Sequence, residues 1–267
     1  MDLGLKDRVV LVTGGSKGIG AAIVREFARE GARVFFCARP SAKLTALASE
    51  AQARGEKCEA LPVDVFDAAA TAELVNEVAR RAGGLDVLVN NVGGAQRFAG
   101  FDELTDEDWL RAYEFNVLSV VRFTRASLPL LRRSEVRRII NVSSISGLQP
   151  GLYNPHYSAS KAAVVNLGKH LANVLAKERI LVNTVCAGPV HSAAWDSNVR
   201  RLAEKSGKSF TAEWQATETA EAAKLPLGAV GEGEHIAAAV AFLASHHSTW
   251  TTGSCFHVNG GKLAAAI

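Results

Sequence analysis

The chain has 267 residues, 48% of them hydrophobic and 21% charged, with a formal net charge of +3. That length can bury a large core in one α/β domain, and so mild a charge, without a long Lys/Arg block, argues against nucleic acid as a partner. The charged start Met1–Arg8 is not expected of a signal peptide, and no run of 18 apolar residues is available to span a membrane. Four scattered cysteines, Cys37, Cys58, Cys186 and Cys255, lack metal-type spacing and read as reduced thiols of a cytoplasmic protein, Cys37 and Cys255 inside buried strands.

Taken in order, short apolar runs alternate with segments of helical period. Arg8–Thr13 predicts a strand, and Ala21–Glu30 a helix, with Ile23, Val24, Phe27 and Ala28 on one face and Gly31 as its stop. A strand at Arg33–Ala38, a helix at Lys43–Arg54, a strand at Cys58–Val63, a helix at Ala68–Arg81 and a strand at Leu85–Asn90 follow. Asp106–Leu131 reads as one long helical region that Pro129 kinks or ends. Arg138–Ser143 is a strand, His156–Ala176 a long helix and Ile180–Val185 a strand. The rhythm breaks from His191 to Leu227, where Trp195, Phe210 and Trp214 lie among charges. One or two short helices in an excursion over about 191–228 are expected there. A helix at Glu232–Ser245 and a strand at Cys255–Val258 close the chain. This order predicts an α/β fold: a single Rossmann-type domain over 1–267, with a doubly wound parallel sheet of about seven strands and helices on both faces.

Between the first strand and the first helix stands Thr13-Gly14-Gly15-Ser16-Lys17-Gly18-Ile19-Gly20. Glycines at this junction let main-chain amides approach a pyrophosphate at a helix N-terminus. A cofactor's second charge is read at the end of the next strand. No acid stands at positions 37 to 40, whereas Arg39 and Lys17 are placed to meet a 2′-phosphate. NADP(H) is therefore expected in preference to NAD(H).

Tyr157 and Lys161 are four residues apart, on one face of the long helix if it forms, and Ser144 precedes the tyrosine by thirteen residues. For a phenol to act as a base near neutrality its pKa must fall by about 3 units, worth about 4 kcal/mol. A partly buried lysine and a positively charged cofactor are the groups expected to supply it.

These residues resemble the short-chain dehydrogenase/reductase family, and within it the 3-oxoacyl-acyl-carrier-protein reductases. The resemblance runs from about Leu5 to Gly261. It rests on Thr13-Gly14-x-x-x-Gly18-x-Gly20, Asp64-Val65, Asn90-Asn91-Val92-Gly93, Asn116, Ser144, Tyr157 and Lys161. It implies that Tyr157 is the general acid/base, that Lys161 lowers its pKa and holds the nicotinamide ribose, and that Ser144 orients the substrate oxygen. Asn116 would hold a water in a proton relay. Asp64 and Val65 would bracket the adenine, Asn91 would meet the adenosine ribose, and the amide of Val190 would meet the carboxamide. Gly93, Gly188 and Ser192 complete the expected cofactor contacts. A homotetramer is implied as well, with the helices of Asp106–Leu131 and His156–Ala176 between subunits.

The chain departs from the family pattern at Val92, where alanine is usual, at Ala187, where proline is usual, and at Ser192, where threonine is common. The loops after strands four, five and six offer Gln96, Arg97, Leu148, Gln149, Tyr153, His156 and Trp195 as pocket candidates. Of these, His156 is expected on the surface, since neighbours along a helix do not face each other. Trp195 and Trp214 either close over an apolar substrate or pack in a small core of their own. No catalytic metal is expected. The reaction expected is hydride transfer between nicotinamide and a carbonyl or secondary alcohol. The alternative is a non-catalytic NADP-binding sensor or scaffold of the same fold; a sugar-nucleotide epimerase is disfavoured by the short segment after Val190.

Overall fold

A computed structural model describes residues 2–265. Seven parallel strands form one sheet in the order β3-β2-β1-β4-β5-β6-β7: β1 (Val9–Thr13), β2 (Arg33–Ala38), β3 (Cys58–Pro62), β4 (Val87–Asn90), β5 (Arg138–Ser144), β6 (Leu181–Ala187) and β7 (Cys255–Val258). The order reverses between β1 and β4, the point at which such sheets open a crevice beyond their strand ends.

Alternation along each strand sends residues to opposite faces. Val10, Val12, Val34 and Phe36 join α1 (Gly18–Arg29), α2 (Ala42–Ala53) and α9 (Gly233–Ala244) in one core. Leu11, Phe35, Leu88 and Ile139 join α3 (Ala68–Ala82), α5 (Ser119–Leu131) and α6 (Pro155–Leu175) in the other. Both sheet faces are therefore covered, as the near-continuous apolar strands require. Boundaries fall within two residues of those read from the sequence, except at the region 106–131 and at the start of α1, which begins at Gly18, three residues before the expected Ala21.

There the chain stays helical from Asp106 to Leu131, but in three pieces. α4 (Asp106–Tyr113) passes through a π-helical turn at Glu114–Leu118 into α5. Pro129 lies inside α5, and the helix runs two residues beyond it to Leu131. The π turn carries Asn116, and such turns widen the helix where a side chain takes over main-chain bonding. The excursion holds two helices, α7 (Ala193–Ser206) and α8 (Phe210–Ala222), which end before the turn that leads to α9. Among the described residues no helix is long and apolar enough to cross a membrane.

Cys37, Cys58 and Cys186 are buried, but Cys255 is only partly so, because β7 is the sheet edge. Its thiol lies 3.2 Å from that of Cys186. Burial pushes the Cys37 thiol up to about 12, which fits a core residue without reactivity.

Candidate active site

A cleft of about 850 Å³ opens at the carboxyl ends of the strands, where β1 and β4 diverge. Its floor is the loop between β1 and α1. A Cβ built on Gly20 would lie 2.1 Å from the Gly14 carbonyl oxygen, so only glycine lets the helix start against that turn. The loop is braced from β4: the Asn91 side-chain amide donates to the carbonyls of Thr13 (3.0 Å) and Gly14 (3.1 Å). The Thr13 hydroxyl accepts from the main-chain N–H groups of Asn91 and Val92. The result is a shallow main-chain cradle at the N-terminus of a twelve-residue helix, suited to a pyrophosphate.

At one end of the cleft stand Lys17, Arg39, Ser41 and Lys43. Lys17, Arg39 and Lys43, none of them in an ion pair among the described residues, make this end suited to a doubly charged phosphate. Ser41 and Lys43 were not singled out from the sequence; Ser41 was legible as the N-cap of α2, whose hydroxyl accepts from the Leu44 N–H. Next along the wall are Asp64, Val65 and Phe66. The Asp64 carboxylate accepts from the Phe66 N–H at 3.1 Å, and Arg122 donates to the Val65 carbonyl at 2.8 Å. Phe66 stacks on Phe115 with centroids 5.7 Å apart, giving this part of the wall a flat apolar surface. Phe66 was missed because nothing in its neighbours' spacing marks it.

The other end holds Ser144, Tyr157 and Lys161. β5 delivers Ser144 at its last position, and the first two turns of α6 deliver Tyr157 and Lys161. Lys161 is almost completely buried, and its ammonium donates to the Val142 carbonyl at 3.0 Å. Burial lowers its pKa to about 8. The Tyr157 phenol is held above its ordinary value by burial, a rise that the Ser144 hydroxyl partly offsets by hydrogen bonding. The sequence reading had Lys161 depress the phenol. In this chain by itself the ammonium is turned to Val142 and lies 5.9 Å from the phenol ring centroid, and burial dominates.

Gly93 ties these elements together. A Cβ there would sit 2.6 Å from the Lys161 ammonium and 2.7 Å from the Asn116 side-chain oxygen. Asn116 accepts from the Gly94 N–H at 2.9 Å and donates to the Ala112 carbonyl at 2.9 Å, and it is fully buried. The roof is formed by Gly188, Pro189, Val190 and Ser192 after β6, and then by Ala193, Ala194 and Trp195 at the start of α7. The Ser192 hydroxyl caps α7 by accepting from the Trp195 N–H at 3.2 Å.

Of the pocket candidates, Gln96 and Trp195 line the cleft. The others lie outside it. Arg97 pairs with Asp108, the Gln149 side chain accepts from the Ala264 N–H, and Tyr153 stacks on Phe98 in the open. Leu148 is half-buried away from the lining. His156 is buried, not on the surface: α6 turns it against α4, where its ring meets Trp109 edge-on at 6.2 Å. The rule that neighbours point apart holds, but the far face of α6 is covered by another helix. Both readings offered for the tryptophans meet at Trp195, which lines the cleft and also packs on the His191 ring, whereas Trp214 packs on that ring without lining the cleft. Among the described residues no group of three metal-ligating side chains is present.

With this geometry in hand, comparisons with known proteins are specific. A family model described as short chain dehydrogenase matches residues 8–203. The rhamnolipids biosynthesis 3-oxoacyl-[acyl-carrier-protein] reductase of Pseudomonas aeruginosa is 33% identical over 262 residues, 96% of this chain and 96% of its own. The structure of L-sorbose reductase from Gluconobacter frateurii, complexed with NADPH and L-sorbose, superposes with a TM-score of 0.93 at 31% identity, covering 99% of this chain and 100% of that one. The RhlG/NADP active-site complex of Pseudomonas aeruginosa superposes with a TM-score of 0.85 at 32% identity, with 97% of each chain covered.

Proposed function

The chain belongs to the short-chain dehydrogenase family and is an NAD(P)-dependent oxidoreductase, and we propose that it is an NADP(H)-dependent carbonyl reductase built on the cleft between Arg39 and Tyr157. The observation that carries this reading is the polarity of that cleft, with Lys17, Arg39 and Lys43 at one end and Ser144, Tyr157 and Lys161 at the other. The nicotinamide, when bound, supplies the hydride; the protein supplies orientation and a proton. Relatives in complex with NADPH and NADP support the cofactor choice.

In this reading the glycine cradle from Gly14 through Ser16, Gly18 and Ile19 to Gly20 holds the pyrophosphate. Arg39 and Lys17 take the 2′-phosphate, and Asp64, Val65 and Asn91 border the adenosine. Gly93, Gly188, Val190 and Ser192 border the nicotinamide end. Tyr157 delivers its proton to the carbonyl oxygen, the Ser144 hydroxyl donates to the same oxygen as charge builds, and the proton lost by the phenol is made good on the Lys161 side, from a water that Asn116 would hold beyond the lysine. A phenol held above its ordinary pKa by burial is a proton donor at neutral pH, the form that reduction needs.

The whole chain is taken as one nucleotide-binding domain, with the excursion at 191–228 as a roof over a small-molecule carbonyl or alcohol. A homotetramer through α5 and α6 is part of the proposal, since Leu118 beside α5 and Val174 on α6 stand exposed. A cytoplasmic setting is proposed because all four cysteines are free thiols.

The test is consumption of NADPH by the wild type against L-sorbose and an acetoacetyl thioester, repeated with Tyr157→Phe. Turnover of either carbonyl that Tyr157→Phe abolishes supports the reading. Tight NADPH binding without turnover of any carbonyl in a broad panel would instead favour a sensor of the same fold.

A further inference from the structure

The roof of the cleft is fastened at its base by one side chain. His191 follows Val190 directly, and its main-chain N–H donates to the Gly231 carbonyl at 2.9 Å. Its ring bridges two carboxylates from separate elements: Nε2 meets Glu218 of α8 at 2.5 Å, and Nδ1 meets Glu232, just before α9, at 2.7 Å. The indoles of Trp195 and Trp214 pack on the ring at 5.4 and 5.1 Å between centroids. One imidazole thus ties α7, α8 and the start of α9 together, and Trp195 on the same knot is a wall of the cleft. The far end of α7 is held separately, by the Arg201 guanidinium 3.9 Å over the Phe98 ring.

Both ring nitrogens face carboxylates, and both can donate only when the imidazole is protonated. The charged groups facing the ring are Glu218 and Glu232. His235 of α9 faces the same turn, but its Nδ1 accepts from the Glu232 N–H at 2.9 Å. Burial works against the imidazolium, yet Glu218 and Glu232 outweigh it and hold the ring above its ordinary pKa. A base whose folded-state pKa is raised gives its full contribution at acid pH and loses it as pH rises through the raised value.

We propose that His191 is a positioning residue for carbonyl reduction: as an imidazolium it latches the α7–α8 roof through Glu218 and Glu232 and so sets Trp195 against the substrate. The proposal rests on the reductase reading for its kinetic consequence, but the latch itself can be read without turnover.

The chain has four tryptophans, and Trp109→Phe with Trp250→Phe leaves only Trp195 and Trp214, both on the His191 ring. Imidazolium quenches indole emission, so in this background fluorescence should rise between about pH 5 and about pH 9, with its midpoint above the ordinary histidine value of about 6.5. His191→Gln should abolish the step, and Glu218→Gln should move its midpoint to lower pH. No step in the two-tryptophan protein, or a step that persists in His191→Gln, overturns the latch.

The kinetic arm uses NADPH with L-sorbose or the acetoacetyl thioester, whichever is turned over. His191→Gln should raise KM for the carbonyl at acid pH by roughly three- to tenfold, the worth of one charge-assisted hydrogen bond in a partly exposed pair, and leave kcat close to wild type. A fall in kcat with KM unchanged would contradict a positioning role. A protein that shows the fluorescence step but reduces no carbonyl keeps the latch and loses the reductase reading.

Discussion

The ammonium of Lys161 donates to the main-chain oxygen of Val142, joining α6 to β5 through a cation that is almost entirely buried. The bond satisfies one of three donors, and among the described residues no acid pairs with it to offset the loss of water, so the charge is held at a cost in stability.

That cost has a sign and a window. The Lys161 pKa falls from 10.5 to about 8 on folding. Below the folded value the lysine is charged in both states and destabilises the folded one fully. The penalty shrinks as pH rises from about 8 to about 10.5 and is gone above that. Its ceiling is roughly 3 kcal/mol, at about 1.36 kcal/mol per pKa unit. Lys161→Met should therefore abolish reductase activity yet raise the Tm of the cofactor-free protein at pH 7 by several degrees, with the gain vanishing near pH 11 in calorimetry. A lower Tm at pH 7 would contradict this account.

Ser144 acts on the phenol as well as facing the cleft. Ser144→Ala removes the hydrogen bond that restrains the rise in the Tyr157 pKa. Loss of one donor to a developing oxyanion costs about 10²–10³ in kcat. The variant should show that loss, and the rising, acid-side limb of the alcohol-oxidation profile, which needs the phenolate, should move to higher pH, read from initial rates across pH.

Arg39→Glu places a carboxylate where a 2′-phosphate is expected. Losing a charge-assisted pair and adding a repulsion should weaken NADPH binding by about 10- to 100-fold. NADH binding should be unchanged or stronger. Fluorescence titration with both cofactors measures this, and equal losses for both would remove the basis for preferring NADP(H).

Gly93→Ala forces a methyl between the Lys161 ammonium and the Asn116 side chain. Either Lys161 or the loop must shift, and misplacement of catalytic groups by about 1 Å can cost up to about 10²-fold. We expect kcat to fall by at least tenfold at saturating NADPH, and the urea midpoint to fall with an overpacking penalty of about 1–3 kcal/mol. A variant with wild-type kcat would show that the three elements are not tightly coupled at this point.

Much of the site was legible because its signals are local. Glycine at positions 14, 18 and 20 sits at a strand-to-helix junction, where the close approach of Gly20 to the Gly14 carbonyl leaves no room for a side chain. Tyr157 and Lys161 share a helix face by their spacing alone. Asn91 is expected beside the cofactor by resemblance, but its bracing of the Thr13 and Gly14 carbonyls was not legible, because the partners are 78 and 77 residues away. The π turn at Asn116 was equally hidden. Helical period persists through it, and only the contact with Gly94 shows why the turn widens.

By itself the sequence determined the doubly wound sheet, through the periodicity of its elements, and the reaction class, through the resemblance that its motifs carry to the short-chain dehydrogenase/reductase family. Tertiary structure decided the rest. It buried His156 against Trp109, set Trp195 and Trp214 on His191 with Trp195 also lining the cleft, and left the Tyr157 phenol raised while Lys161 is turned to Val142. Each of these depends on which helix covers which face and how much water is excluded. Burial and the charges that compete with it are summed over residues far apart in the chain, so no local pattern carries the answer.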